Sequence, residues 1–235
     1  MSRKLALGAI GLVWIGSFGL WSAGGQEPRP VVRPVVDEER KVVTIPVVLG
    51  LKRFRGGWPP GHHLITWEGG KAGGKPLLQT PVPDGLVLEA LESLGAKPGN
   101  NLREEAWTQR KDPKSKAPDV RAEGTRLTLT LVLADGKRRP VTDLLVDVDE
   151  HGYQWRLAGN RKLIGVWRSG CVVCLQSCPG SKIANARATM RDLEQERSRF
   201  RPSKLASKLG EGARLKVEIR FAPKEKAGSQ RARQE

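Results

Sequence analysis

Outside one eight-residue window the chain has no cysteine: Cys171, Cys174 and Cys178 are all that its 235 residues contain. There is no G-x-S-x-G serine, and no pair of carboxylates stands out by spacing, so neither gives a starting point for hydrolytic chemistry. Histidine is scarce, with only His62, His63 and His151. No internal repeat runs through the chain, which excludes a solenoid or propeller. No adjacent arginines precede the first apolar run, so a twin-arginine signal is excluded. Acid is also short, 25 Asp and Glu against 41 Lys and Arg, a net charge of +16. The basic residues are spread along the chain without a nucleic-acid recognition motif, so no nucleic acid is expected as a partner. Such charge suits an anionic membrane surface or cell-wall polymer if the protein is exported, or simply a solvated surface.

Export is what the first residues suggest. Arg3 and Lys4 form a basic head, Leu5–Trp21 is an unbroken apolar run, and Ser22, Ala23, Gly24 and Gly25 close it. That order is the order of a signal peptide over residues 1–24, with the cut between Gly24 and Gly25. The alternative is an uncleaved anchor over residues 5–21, because the run reaches the short limit of about 17–25 residues for a spanning helix. Either way the rest of the chain is expected outside the cytoplasm. Residues 25–41, with three prolines between Pro28 and Pro34, read as an extended linker. Residues 42–222 suit one domain, and residues 223–235, basic and without a large apolar side chain, read as a disordered tail.

Within the domain, β-branched residues over Val42–Leu49 predict a strand, and Pro46 argues that it lies at an edge. Strands are likewise expected over His62–Glu68, around Leu127–Leu133 and across Leu215–Phe221. The clearest helix runs from Asp84, as its cap, to Leu94, and ends at Gly95. Asn100–Glu123 reads as a polar loop with Trp107 as an anchor, and Ile183–Phe200 as a charged helix. The expected fold is therefore α+β, a mixed, mostly antiparallel sheet with one main helix and the cysteines on a loop at one end.

Two motifs need weighing. Gly69 to Lys75, "GGKAGGK", has the spacing of a phosphate-binding loop, but Pro76 stands where Ser or Thr would ligate magnesium, and no helix is predicted to start at Lys75. It reads as a flexible glycine loop. The cysteines, C-x2-C-x3-C followed by Pro179, repeat the last three positions of the bacterial ferredoxin run with the first one missing. Three thiolates leave an iron–sulfur cluster, or a tetrahedral zinc, one donor short. His63 is the candidate for that fourth position. It begins an apolar strand beside the glycine loop. His62 and His63 are adjacent in a strand and should point to opposite faces, so at most one can join a buried site. Two other readings use the same thiols: disulfide exchange through the C-x-x-C pair Cys171–Cys174, or a structural disulfide with one cysteine spare.

"HHLITWEGGKAGGKPLL", "LEALESLGAKPGN", "LAGN" and "GCVVCLQSCPG", in this order, resemble the YdjY-like family of exported bacterial proteins. The resemblance covers roughly His62 to Ala186 and fades in the basic stretch after Asn185. Members are described as ferredoxin-like on account of the cysteine run. The resemblance implies roles for Cys171, Cys174, Cys178, His63, Gly69, Gly70 and Gly74, and a redox or protein partner that it does not identify.

Overall fold

In a computed structural model, which describes residues 30–55 and 61–223, the strands are Val35–Asp37 (β1), Val42–Leu49 (β2), His63–Trp67 (β3), Leu78–Thr80 (β4), Arg126–Val132 (β5), Arg138–Pro140 (β6), Leu145–Asp147 (β7), Trp155–Leu157 (β8), Cys171–Cys174 (β9), Ile183–Asn185 (β10), Phe200–Pro202 (β11) and Arg214–Phe221 (β12). The expected signal segment, residues 1–24, and almost all of the expected tail lie outside the described residues. Among the described residues no helix is long and apolar enough to cross a membrane.

Eight strands close a ring in the order β2-β12-β5-β8-β10-β9-β3-β4, and β4 returns to β2 through Leu49 opposite Leu78 and Val48 opposite Gln79. Two neighbouring pairs are parallel, β9 with β10 and β3 with β4; the other junctions are antiparallel. The fold is thus a closed barrel with short helices, which corrects the expected α+β sheet built around one main helix. Closure leaves none of these eight strands at an edge, while β1 and β6 flank the ring on β2 and β5. Eight strands leave an interior that side chains alone can fill. β2 shows how: Val43, Ile45, Val47 and Leu49 are buried in the main core. Leu127, Leu129 and Leu131 of β5 and Val217 and Ile219 of β12 join them. Each such side chain contributes roughly 1.5–3 kcal/mol by leaving water.

Pro46 is not on a free edge. It lies opposite Lys216 of β12, and its other flank falls between the part of β2 paired with β1 and the part paired with β4. The missing amide is tolerated in that gap. The expected linker contributes β1, which forms a hairpin with β2.

The helix Asp84–Ser93 packs Val87, Leu88 and Leu91 into the barrel core and ends at Gly95, whose φ of 96° favours glycine. Asp84 makes no capping bond, contrary to expectation. Its carboxylate meets the buried Lys182 ammonium at 2.7 Å, and Lys182 also donates to the Gly180 carbonyl at 3.1 Å. The helix expected over Ile183–Phe200 is also corrected. That segment supplies β10, a five-residue helix Met190–Glu194 closed by a Thr189–Asp192 capping box, and β11. Its charges had suggested a solvated helix, but Ile183, Ala184 and Asn185 are buried in the barrel wall.

Candidate metal centre

β3 and β9 run antiparallel in the wall, and their pairing is irregular. His63 faces Cys174, Ile65 faces Val173 and Thr66 faces Cys171. One residue is skipped on each strand, Leu64 and then Val172. In an unbroken strand, residues three apart point to opposite faces. The bulge at Val172 changes that, as bulges re-aim side chains. The result is visible in the packing: consecutive Val172 and Val173 both enter the main core, while Cys171 and Cys174 both join a second cluster with Cys178, Ala106, Met190 and Leu193. Cys171 and Cys174 therefore lie on a strand of the barrel, not on the loop expected for them.

In that cluster His63 Nδ1 lies 3.2 Å from Cys171 Sγ. The ligand atoms of His63, Cys171 and Cys174 all lie within 4.8 Å of one another. Cys174 Sγ donates to the His62 carbonyl at 3.3 Å, and the thiol of Cys178 hydrogen-bonds with that of Cys174. All three cysteines are free and buried. Burial, aided by the charge of Lys75, holds His63 below its ordinary pKa, so its ring is neutral near pH 7; Cys178 opposes the shift. Burial and then the hydrogen bond with Cys171 push the Cys174 thiol well up. For Cys178 the bond to Cys174 comes first and burial second, again upward.

His62 departs from expectation. It precedes β3, so strand alternation does not govern it, and its ring centroid lies 3.8 Å from that of His63. Both rings line one cavity of about 460 Å³, together with Cys171 and Cys178. The stack continues outward: His62 faces the Trp107 ring at 6.2 Å, and the Arg110 guanidinium sits 4.3 Å over that indole. His151 lies elsewhere, half-buried, with Nε2 against the Arg197 carbonyl.

Residues that sequence patterns did not single out hold the cover in place. Arg191, 7% exposed, bonds through its guanidinium to the carbonyls of Arg110, Asp112 and Ser115, which ties the segment carrying Trp107 over the cysteines. Arg110 pairs with Glu194 of the short helix at 3.0 Å. Among these, only Trp107 carried a sequence signal, as a lone large apolar residue in a polar stretch.

The glycine loop also has a job. Gly70 packs on Gly170 so closely that a Cβ added at Gly70 would lie 2.4 Å from the Gly170 Cα. Lys71 N–H and Ala72 N–H then bond the carbonyls of Arg168 and Ser169, just before Cys171. The loop expected to be flexible is folded into turns registered against β9.

The donor set suits a soft or borderline ion: two thiols and a neutral imidazole, with a third thiol adjoining. A family model described as the YdjY domain matches residues 35–220. Neither a curated protein nor a solved structure gave a match.

Proposed function

The chain belongs to the YdjY domain family, and we propose that its function is to hold a thiophilic metal ion on the outer side of the barrel wall, with His63, Cys171 and Cys174 as ligands and Cys178 as the fourth. One observation carries this reading, the convergence of three donor atoms from two different strands within 4.8 Å. Tetrahedral zinc, with bonds of about 2.0–2.3 Å, needs donors roughly 3.3–3.8 Å apart, so modest inward movement would bring His63, Cys171 and Cys174 into range. Zinc bound there would add folding stability, and a redox-active ion would add one-electron transfer.

An iron–sulfur cluster is the second reading, favoured by the C-x2-C-x3-C-P spacing. Compactness ranks it below a single ion, because each iron of a cluster takes its own thiolate and spreads the ligands apart. Thiol–disulfide exchange ranks lower again. Exchange needs an accessible thiolate, whereas Cys174 and Cys178 are buried with raised pKa values. Export belongs to the same reading: residues 1–24 direct secretion, and the metal is acquired after it.

The test is protein purified without oxygen, with zinc and iron counted and the visible spectrum recorded. One ion per chain without visible absorbance is expected, falling by most of its occupancy in Cys171→Ser, Cys174→Ser and His63→Ala. Four irons with a visible band would replace the single ion by a cluster, and no stoichiometric metal after anaerobic reconstitution would end both readings. For export, N-terminal sequencing should find a mature chain beginning at Gly25. An intact Met1 in the membrane fraction would favour the anchor.

A further inference from the structure

The cavity beside the cysteines has more wall than a metal ion needs. Its volume is about 460 Å³, within the range of roughly 300–1,000 Å³ for small-molecule sites. Two indoles, Trp107 and Trp167, give it apolar sides, and Lys71 and Lys75 give it charge. No carboxylate is among its lining residues. Among the described residues neither lysine forms an ion pair, although many of the surface cations on this basic chain do.

The lysines are positioned by the loop beneath them. Gly73 N–H closes a turn on the Gly70 carbonyl, and Lys75 N–H closes the next on that of Ala72, at 2.8 and 3.1 Å. Gln79 holds the Gly73 carbonyl through its side-chain amide at 2.7 Å. The Gly70–Gly170 contact fixes those turns to the chain entering β9, so both ammonium groups are carried on a backbone that is registered to Cys171. The "GGKAGGK" stretch, which fails as a nucleotide loop, here places two cations at one opening.

We propose that this cavity binds a small organic anion, with its charged group held by Lys71 and Lys75 and its apolar body between Trp107 and Trp167. The aromatic walls favour a planar or apolar body over a bare inorganic ion, because stacking on an indole adds to the charge contact. With no acid in its lining, the cavity offers no counter-charge to an organic cation. Cys171 and Cys178 line the same space, so a bound anion lies beside the proposed ion. The anion site goes beyond the metal reading and stands without it.

The test uses the full chain, in metal-free and zinc-loaded forms, titrated calorimetrically with benzoate, with its neutral analogue benzamide and with inorganic phosphate. Saturable one-to-one benzoate binding is expected in both forms, with benzamide and phosphate each weaker by about tenfold or more. Rising salt should weaken benzoate binding, because the two lysines are exposed. The double variant K71Q/K75Q should lose about tenfold in benzoate affinity. Its circular dichroism should be unchanged, since neither side chain is buried. W107L should weaken benzoate while leaving any phosphate binding unaltered. Equal affinity for benzoate and benzamide, unchanged binding in K71Q/K75Q, or no saturable benzoate binding would each overturn the proposal. Benzoate binding retained in a protein that takes up no metal would sink the metal reading alone.

Discussion

β9 serves two cores that obey different rules. Val172 and Val173 face the barrel interior, where packing is apolar and continuous with β2, β5 and β12. Cys171 and Cys174, one position away on either side, face a small outer cluster whose members are thiols, an imidazole and a cover tied down by Arg191. The inner region needs only shape and hydrophobicity, and it tolerates swaps of similar volume. The outer region needs particular atoms at particular distances, and it is reached only because the strand bulges at Val172. One strand can hold a fold and a site when its irregularity separates them.

The largest effect is expected where the two regions are joined. Lys182 is 2% exposed and spans from Asp84, on the helix packed into the barrel core, to the Gly180 carbonyl in the cysteine segment. Lys182→Met leaves the Asp84 carboxylate buried and unpaired, and should cost about 3–5 kcal/mol in denaturant unfolding. Replacing both partners, Asp84→Leu with Lys182→Met, should recover most of that loss, because neither position then holds an unpaired charge. A single variant that costs under about 1 kcal/mol would show that the joint is not electrostatic.

Next in size is a pair of neighbours that sharpens the contrast directly. Val173→Ala removes two methyl groups from a fully buried position and should cost about 1.5–3 kcal/mol, with metal content unchanged. Cys174→Ala removes only a thiol and should cost metal-free protein less than Val173→Ala, yet abolish most metal binding. If both variants lose stability and metal together, the two cores are one cooperative unit and the division drawn at Val172 fails.

That division was hidden from the sequence for a physical reason. Long alternating strands were legible: Val42–Leu49 matches β2 residue for residue, and Leu215, Val217 and Ile219 sit on one buried face of β12. The helix from Asp84 was legible from its leucines and Gly95. Closure was not, because it depends on two residue pairs between β2 and the three-residue strand β4, too short to show a period. β10 is equally short, and the charges that follow it imitated a helix. At the site, the three thiols and His63 were legible as residue types. What spacing could not show was the double bulge that turns Cys171 and Cys174 to one side, or that His62, standing before its strand, packs its ring tilted against that of His63.

The smallest expected effect is a pH dependence that belongs to the outer cluster alone. In metal-free protein His63 is held below its ordinary pKa of 6.5 by burial, so the folded state resists its protonation. Its contribution to stability is complete above that value and is lost as pH falls from there toward the lower folded pKa. Cys174 and Cys178 are shifted the other way, well above the ordinary 9.0, the first mainly by burial and the second mainly by its bond to Cys174. Their contribution is complete below that value and is lost as pH climbs past it, since the unfolded chain ionises first. Unfolding midpoints measured from about pH 5 to about pH 10 should therefore trace a plateau with two shoulders. His63→Gln should flatten the acid shoulder, and Cys178→Ser should soften the alkaline one. Val173→Ala should lower the whole curve without changing its shape, because the residues clustered with it in the barrel core are apolar. If Val173→Ala instead moves either shoulder, proton binding in the outer cluster is coupled to packing in the inner core, and the bulge does not insulate one from the other.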